Sequence, residues 1–255
     1  MTAVSDVLVQ TIKEFQSLPS LSQFALAGGT NLAFRLNHRK SIDIDLFSPE
    51  IVGEDGFELI EKEIKDLYGD SVFGIQYPCN ENDQYIFLRC FISKGNVTIK
   101  VEILQNMKIV DKIDNIDGIR LVSKKDIGLF KLESASNRMA KKDIYDLDYI
   151  CNELDLVSLF NDLKAKKKKY NTDLDKSIFD LDNETSPVDD PSLLLEFDNK
   201  TACSTKPGHS SDTIDILEGS QTWPEAKMNW RLKMRKLYSH LNLKFPSATG
   251  VSIPK

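Results

Sequence analysis

The chain has 255 residues, of which 41% are hydrophobic and 28% charged, a balance typical of a globular protein with one large domain or a domain and a subdomain. Its net charge of -6 excludes a broad positive field, so any contact with nucleic acid would be a local patch. The sequence has no apolar run near the roughly 18 residues of a membrane span, no basic-then-apolar N-terminus and no CxxC pair among its four cysteines. We therefore expect a cytoplasmic protein with reduced thiols, no zinc site and no membrane partner.

The first half of the chain alternates between helical and strand periodicity. Apolar residues at helical spacing predict helices at 4–17, 31–36 and 57–68. Alternating runs and runs rich in branched or aromatic residues predict strands at 24–27, 41–47, 72–76, 85–93, 97–104 and 119–122. The two longest strands flank a turn at residues 94–96, so we expect them to form a hairpin.

The periodicity changes from Lys124 onward. Helical spacing predicts helices at 127–137, 143–153, 156–168 and 224–241. Residues 182–215 are polar and include three prolines, so they are predicted to form a loop or a partly mobile linker. The whole pattern predicts an α+β fold, in which a mixed β-sheet flanked by helices (residues 1–122) is followed by a helical C-terminal part (residues 123–255).

Two acidic residues lie within the strand predicted at 41–47. Asp43 and Asp45 alternate with aliphatic residues, so both carboxylates are expected on one face of the strand. Two aspartates on one face repel each other unless a cation lies between them, and carboxylate oxygens are ligands that Mg²⁺ prefers. The alternative is an exposed strand edge that carries charge. We favour a magnesium site, because a glycine-rich turn precedes the two aspartates.

That turn is Gly28-Gly29-Thr30, at the start of the helix predicted at 31–36. Backbone N–H groups at a helix start bind phosphate, and the Thr30 hydroxyl would add a further contact. A glycine pair alone is more often a tight turn. Together with the Asp-x-Asp, it indicates binding of a nucleoside triphosphate beside the magnesium.

The segment LAGGTNLAFRLNHRKSIDIDLF resembles the signature of the AbiEii/AbiGii-type nucleotidyltransferases, which belong to the DNA polymerase β-like nucleotidyltransferase superfamily. His38, Arg39 and Ser41 match the family pattern, whereas Asn31 replaces its usual alanine. A second segment, KLESASNRMAKKDIYDLDYI at residues 131–150, resembles the later family motifs. Beyond it the likeness is looser and involves Phe179, Asp182, Glu184, Trp223 and Lys227.

The resemblance implies roles for individual residues. It places Lys131 at the nucleotide phosphates and Asp143 in the active site, with Asp146 as structural support. Arg39 and Ser41 would help to bind the triphosphate. The ordinary alternative for the lysine is a solvated helix face, since lysine is common there.

Glu102 is the candidate for a third carboxylate that would help to hold metal. Superfamily members commonly carry one on a neighbouring strand, where this family often has aspartate. Its alternation within VTIKVEIL puts it on the same strand face as Lys100. The alternative is an exposed strand glutamate.

Two basic stretches remain. The lysines at 164 and 166–169 are typical of a solvated helix end, and a phosphate contact is the alternative. The last predicted helix interleaves basic residues with Trp223, Trp230 and Tyr238, a combination that can bind an RNA backbone and stack on bases. The alternative is packing of that helix through Trp230 and Leu237.

The resemblance as a whole implies a Mg²⁺-dependent nucleotidyltransferase with a two-ion site. It would transfer NMP from NTP to an acceptor hydroxyl and release pyrophosphate. The family further implies a bacterial toxin of a toxin–antitoxin or abortive-infection system, with tRNA 3′ ends as acceptor and a cognate antitoxin as partner. Two alternatives stay open: nucleotidylation of a protein or small molecule, and a non-catalytic nucleotide-binding module, which the departures at Asn31 and Glu102 would allow.

Overall fold

One mixed β-sheet forms the centre of the molecule. The computed structural model describes residues 2–79, 82–181, 184–197 and 213–246. The strands among these residues are β1 (Ala25–Leu26), β2 (Ile44–Phe47), β3 (Val72–Gln76), β4 (Phe87–Lys94), β5 (Val97–Leu104), β6 (Asp114–Ile116) and β7 (Ile119–Leu121). They lie in the order β3-β4-β5-β2-β1-β7-β6.

The register of the central strands brings two acidic residues together. Strand β2 pairs in parallel with β5, and Asp45 lies opposite Glu102. Strands β4 and β5 form the predicted antiparallel hairpin, which places Arg89 on the other side of Glu102. Because paired residues on neighbouring strands share a face of the sheet, all three side chains point the same way.

Helices cover both faces of the sheet. They are α1 (Asp6–Ser17), α2 (Gly28–Leu36), α3 (Gly53–Tyr68), α4 (Lys124–Arg138), α5 (Lys141–Ile150), α6 (Leu156–Lys169) and α7 (Trp223–His240). Single 3₁₀ turns occur at Pro19–Leu21, Gly69–Ser71, Asp83–Tyr85, Asp173–Asp175, Ile178–Asp180 and Pro191–Leu195. Side-chain caps help to fix where two of these helices begin. At α1 the Ser5 hydroxyl accepts a hydrogen bond from Leu8 N–H, and at α7 Thr222 and Glu225 form a capping box.

Two hydrophobic clusters lie on either side of β2. Ile44 and Leu46 face the cluster that includes α1 and α3. The C-terminal helices pack in the other cluster, around Trp230 and Leu132. Since side chains alternate along a strand, Asp45 points away from the first cluster and toward the helical C-terminal part.

The predicted α+β class, with a mixed sheet and a helical C-terminal part, is confirmed. Strand β2 begins at Ile44 rather than at residue 41, so Asp43 precedes the strand. Helix α2 begins at Gly28, so the two glycines form its first turn. The predicted set omitted β6, because a three-residue strand carries too little alternation to be recognised.

The division at residues 122 and 123 stays a prediction. Of the polar stretch at 182–215, residues 182–183 and 198–212 lie outside the described residues. These two ranges include Asp182, Cys203 and His209. The described part packs onto the helices, since Trp230 Nε1 donates to the Leu194 carbonyl at 2.9 Å. None of the described helices has both the length and the apolar composition needed to cross a membrane.

Candidate active site

The glycine-rich helix start lies directly against Asp45. The first backbone hydrogen bond of α2 runs from Asn31 N–H to the Ala27 carbonyl at 3.3 Å, so the amides of residues 28–30 point out of the helix end. Gly28 has a φ of +62°, and a Cβ at this position would overlap the Asp45 carboxylate. Only glycine therefore allows this conformation and this close approach of the carboxylate together.

A methyl group at Gly28 is expected to remove activity more strongly than stability. In Gly28→Ala the new Cβ must displace Asp45, and such a misplacement costs about a hundredfold in rate. Backbone strain at positive φ adds a loss of about 1–2 kcal/mol in the free energy of unfolding. Nucleotidyl transfer and thermal unfolding measure the two effects.

Gly95→Ala is the matched control, because Gly95 has a φ of +61° and open space at its Cβ position. It should show the same backbone strain with unchanged transfer. Equal transfer rates for Gly28→Ala and the wild type would contradict the assigned contact between the turn and Asp45.

Three carboxylates and two cations gather beside this turn. Lys100 Nζ lies 2.9 Å from Glu102 Oε2 and 3.6 Å from Asp43 Oδ2. Arg89 Nη2 lies 2.6 Å from Glu102 Oε1. Burial, together with the charges of Glu102 and Asp43, raises the pKa of Asp45 to about 6. The cluster thus holds Asp45 under repulsion that a cation would relieve.

The donor set of this cluster fits a hard divalent cation in part. Asp43 and Asp45 offer carboxylate oxygens, the ligand type that Mg²⁺ prefers, and Asp45 carries the repulsion just described. Glu102 has both oxygens engaged by Lys100 and Arg89. In the part of the chain that the structure describes, no group of three histidine, cysteine or carboxylate side chains is arranged to hold a metal ion.

A buried network of ion pairs lies behind the helix start. Lys131 Nζ lies 2.7 Å from both Asp143 Oδ1 and Asp146 Oδ2. Arg39 donates from Nε to Asp146 at 2.6 Å and from Nη2 at 2.7 Å. Arg138 donates from Nη2 to Asp143 at 2.7 Å. Although burial alone would raise them, these cations hold the pKa values of both aspartates well below their ordinary range.

The histidine next to Arg39 belongs to the same network. His38 is fully buried, and its Nε2 lies 2.9 Å from Asp146 Oδ1. Its ring forms a cluster with those of Tyr145 and Tyr149, whose centroids lie 5.7 and 4.7 Å from it and 5.2 Å from each other. His38 therefore joins the predicted signature segment to α5 as a structural contact.

The other predicted nucleotide-binding side chains lie beneath the turn and support it. The Thr30 hydroxyl is buried, donates to the Asp43 carbonyl oxygen and lies 2.8 Å from Ser41 Oγ. Arg39 is also buried, and its guanidinium lies beneath Gly29, where a Cβ would meet it. Their contact with nucleotide stays a prediction. In the structure they join α2 to the segment that carries Asp43.

A cavity of about 550 Å³ opens in front of the helix start. Gly28, Gly29, Asp45 and Glu102 line it. Lys131 and Arg138 also line it, and its apolar wall includes the residues Phe47, Phe130, Ile178 and Phe179. Asp143 lies behind the lysine and the arginine rather than at the cavity surface. The volume and the charge distribution suit a nucleotide whose phosphates contact the glycines and these two basic residues.

Some lining residues were not identified from the sequence. Ser134 and Asn137 reach the cavity from α4, one turn apart, and only the helical spacing from Lys131 could have indicated them. Glu184, which the looser C-terminal likeness includes, also lines it. A second cavity of about 580 Å³ lies along α3, away from the three carboxylates.

The last helix packs mostly as the structural alternative predicts. Trp230 and Tyr238 are buried, so their rings are not available to stack on bases. Lys233 Nζ lies 2.6 Å from Asp148 Oδ1, and Lys236 pairs with Asp155. The proposed RNA contact on this helix therefore loses two of its three aromatic side chains.

The lysine run of α6 is not uniformly solvated as predicted. Lys166 is buried, with Nζ 3.8 Å from the centre of the Phe130 ring and no hydrogen-bond partner within the described structure. Burial lowers the pKa of this lysine. The reason is geometric: residue 166 falls on the apolar face of α6, three positions after Leu163.

Replacing this lysine with methionine is expected to stabilise the protein. Lys166→Met keeps the length of the side chain but removes a buried charge without a hydrogen bond, at the expense of the contact with Phe130. We expect the free energy of unfolding to rise by about 1 kcal/mol. Denaturant unfolding measures it, with the exposed Lys168→Met as control, for which a change within about 0.5 kcal/mol is expected. A loss of stability in Lys166→Met would show that the ammonium has a stabilising partner.

The mixed sheet, the glycine helix start and the strand-borne carboxylates together define a nucleotidyltransferase-type protein, as the resemblance predicts. The chain belongs to the AbiEii family: the family model "Nucleotidyl transferase AbiEii toxin, Type IV TA system" matches residues 14–248. The predicted family membership is therefore confirmed.

Individual proteins share less than a third of their aligned residues with this chain. The chain is 31% identical over 163 residues to the uncharacterized protein aq_aa25 of Aquifex aeolicus (strain VF5), covering 63% of this chain and 73% of that one. Among solved structures it resembles MenT4, the nucleotidyltransferase toxin Rv2826c of Mycobacterium tuberculosis H37Rv, with a TM-score of 0.49 and 17% identity. That match covers 92% of this chain and 83% of the other.

Proposed function

We propose that the protein is a Mg²⁺-dependent nucleotidyltransferase toxin that transfers NMP from NTP to an acceptor hydroxyl and releases pyrophosphate. The observation that carries the proposal is the position of Asp45, which is in contact with the Gly28 helix start and lines a nucleotide-sized cavity. Membership of the AbiEii family supports the reaction class and the toxin role.

The residues around the cavity would have different roles in the proposed reaction. The amides of residues 28–30 would donate hydrogen bonds to the triphosphate, and Lys131 and Arg138, which also line the cavity, would neutralise the leaving pyrophosphate. Asp143 and Asp146 fix the position of Lys131 by ion pairs at 2.7 Å. Asp43 and Asp45 would hold Mg²⁺, with Glu102 as the third candidate; when bound, the metal supplies charge neutralisation and lowers the pKa of the acceptor hydroxyl.

For the acceptor we propose tRNA 3′ ends, and for the partner a cognate antitoxin. Support comes from the family, whose model is described as the toxin of a type IV toxin–antitoxin system. The predicted cytoplasmic location is consistent with such an acceptor. The half-buried Phe179 in the apolar wall offers a surface for a base beside the phosphate-binding side.

The test is a labelling experiment with the purified chain. Total bacterial tRNA, Mg²⁺ and each α-³²P-labelled NTP are supplied in turn, with Asp43→Ala as the inactive variant and the exposed Glu58→Gln as a matched control. Label on tRNA with wild type and Glu58→Gln but not with Asp43→Ala supports the proposal and identifies the nucleotide.

Label on a protein or a small molecule would replace tRNA as the acceptor and leave the reaction class intact. One observation favours a non-catalytic nucleotide-binding module, namely that both oxygens of Glu102 already have cationic partners. No label anywhere, together with NTP binding that is independent of Mg²⁺, would establish that module instead.

A further inference from the structure

Lys100 is one of the two cations of the carboxylate cluster, and neither the family pattern nor the proposed reaction gives it a role. It lies two residues before Glu102 on β5, so both side chains project from the same face of the sheet. Its Nζ lies 2.9 Å from Glu102 Oε2 and 3.6 Å from Asp43 Oδ2. The ammonium group therefore lies between the two carboxylates.

Glu102 is held from a second side as well. Arg89 is its register partner on β4 and donates from Nε to Glu102 Oε1 at 2.8 Å. Each oxygen of Glu102 thus has its own cationic partner, which leaves it unsuited to act as a metal ligand. Among the ion pairs of the described residues, none involves Asp45.

The net charge of the cluster also argues against a second metal ion. Asp43, Asp45 and Glu102 bring three negative charges, and Lys100 and Arg89 bring two positive ones. One divalent cation is enough to offset the remainder, whereas a second one would leave an excess of positive charge in a cavity that Lys131 and Arg138 also line.

We infer that Lys100 supplies, as a fixed ammonium, the positive charge that a second divalent ion would bring, so that the cluster binds one ion, at Asp43 and Asp45. The inference rests on the proposed function and departs from the two-ion site predicted from the sequence. In this arrangement Glu102 is a positioning residue, since it holds Lys100 in place and Arg89 holds Glu102.

The test counts bound ions rather than activity. Mn²⁺ alone is titrated into the full chain, and free Mn²⁺ is followed by electron paramagnetic resonance. The expected stoichiometry is one ion per chain for the wild type and two for Lys100→Met, in which Glu102 becomes available. Lys100→Arg keeps the positive charge and should bind one ion. Lys65→Met, which removes the distant ion pair with Glu61, should bind as the wild type does.

Two results would overturn the inference: two Mn²⁺ ions on the wild type, or one ion on Lys100→Met. The first needs no variant, so it is decisive even if Lys100→Met folds poorly. The labelling experiment, run in parallel, separates the two proposals. Transfer by a wild type that binds two ions contradicts only the role of Lys100, whereas one bound ion without transfer to any acceptor contradicts only the proposed reaction.

Discussion

Replacing Asp45 with asparagine is expected to reduce nucleotidyl transfer by about a thousandfold, since a metal ligand contributes several kcal/mol to transition-state stabilisation. The same substitution should leave the melting temperature unchanged or raise it. Burial raises the pKa of Asp45 to about 6, together with the like charges of Glu102 and Asp43, so a neutral side chain relieves both the cost of burying a charge and the repulsion. Transfer assays and thermal unfolding of Asp45→Asn measure both effects.

This prediction is specific because activity is expected to fall while the melting temperature stays the same or rises. A variant that merely damages the fold loses activity and stability together. Glu58→Gln on α3 is the control for the loss of one exposed negative charge and should change neither quantity. A melting temperature lowered by many degrees in Asp45→Asn would show that the carboxylate has a stabilising partner, and retained transfer would remove Asp45 from the active site.

Asp146→Ala is expected to have the largest effect on stability. The substitution leaves the buried Arg39, Lys131 and His38 facing an empty position where four of their hydrogen bonds or ion pairs converged. Removing one partner of a buried ion pair costs about 3–5 kcal/mol, because the remaining charge stays desolvated. We expect a loss of this size in denaturant unfolding, and loss of activity through the displaced Lys131.

Asp111→Ala is the matched control. Asp111 pairs with Lys125 at 2.8 Å, but both side chains are partly exposed to solvent. Its removal should cost less than about 1 kcal/mol, since exposed ion pairs contribute little. If Asp146→Ala were as mild as this control, the network would have no stabilising role, and the position of Lys131 would need another explanation.

Local sequence patterns indicated those residues of the candidate site that lie close together along the chain. Asp43 and Asp45 stood out because aspartate is rare within an apolar alternating run, and the glycine pair stood out because it opens a helix. The likeness over residues 131–150 led to Lys131 and Asp143, which are only twelve residues apart and do form an ion pair. Membership of the AbiEii family followed from the same segments.

The partners of these residues could not be read from spacing. Asp146 contacts Arg39 across 107 positions of sequence, and Glu102 meets Arg89 through the register of two strands. A periodic pattern indicates which face of an element is apolar, but not which charge from another element lies opposite it. Lys166 shows the same limit, since a run of lysines predicts solvent while the packing of α6 buries one of them.

The amino-acid sequence by itself thus determined the α+β class, the family, and the carboxylates and glycines of the cavity, because each depends on local alternation or on a short continuous motif. Only the tertiary structure decided that Thr30 and Arg39 brace the helix start from behind, that two buried aspartates hold Lys131, and that Lys100 lies between Asp43 and Glu102. Such pairings depend on strand register and helix packing, which bring distant charges within ion-pair distance.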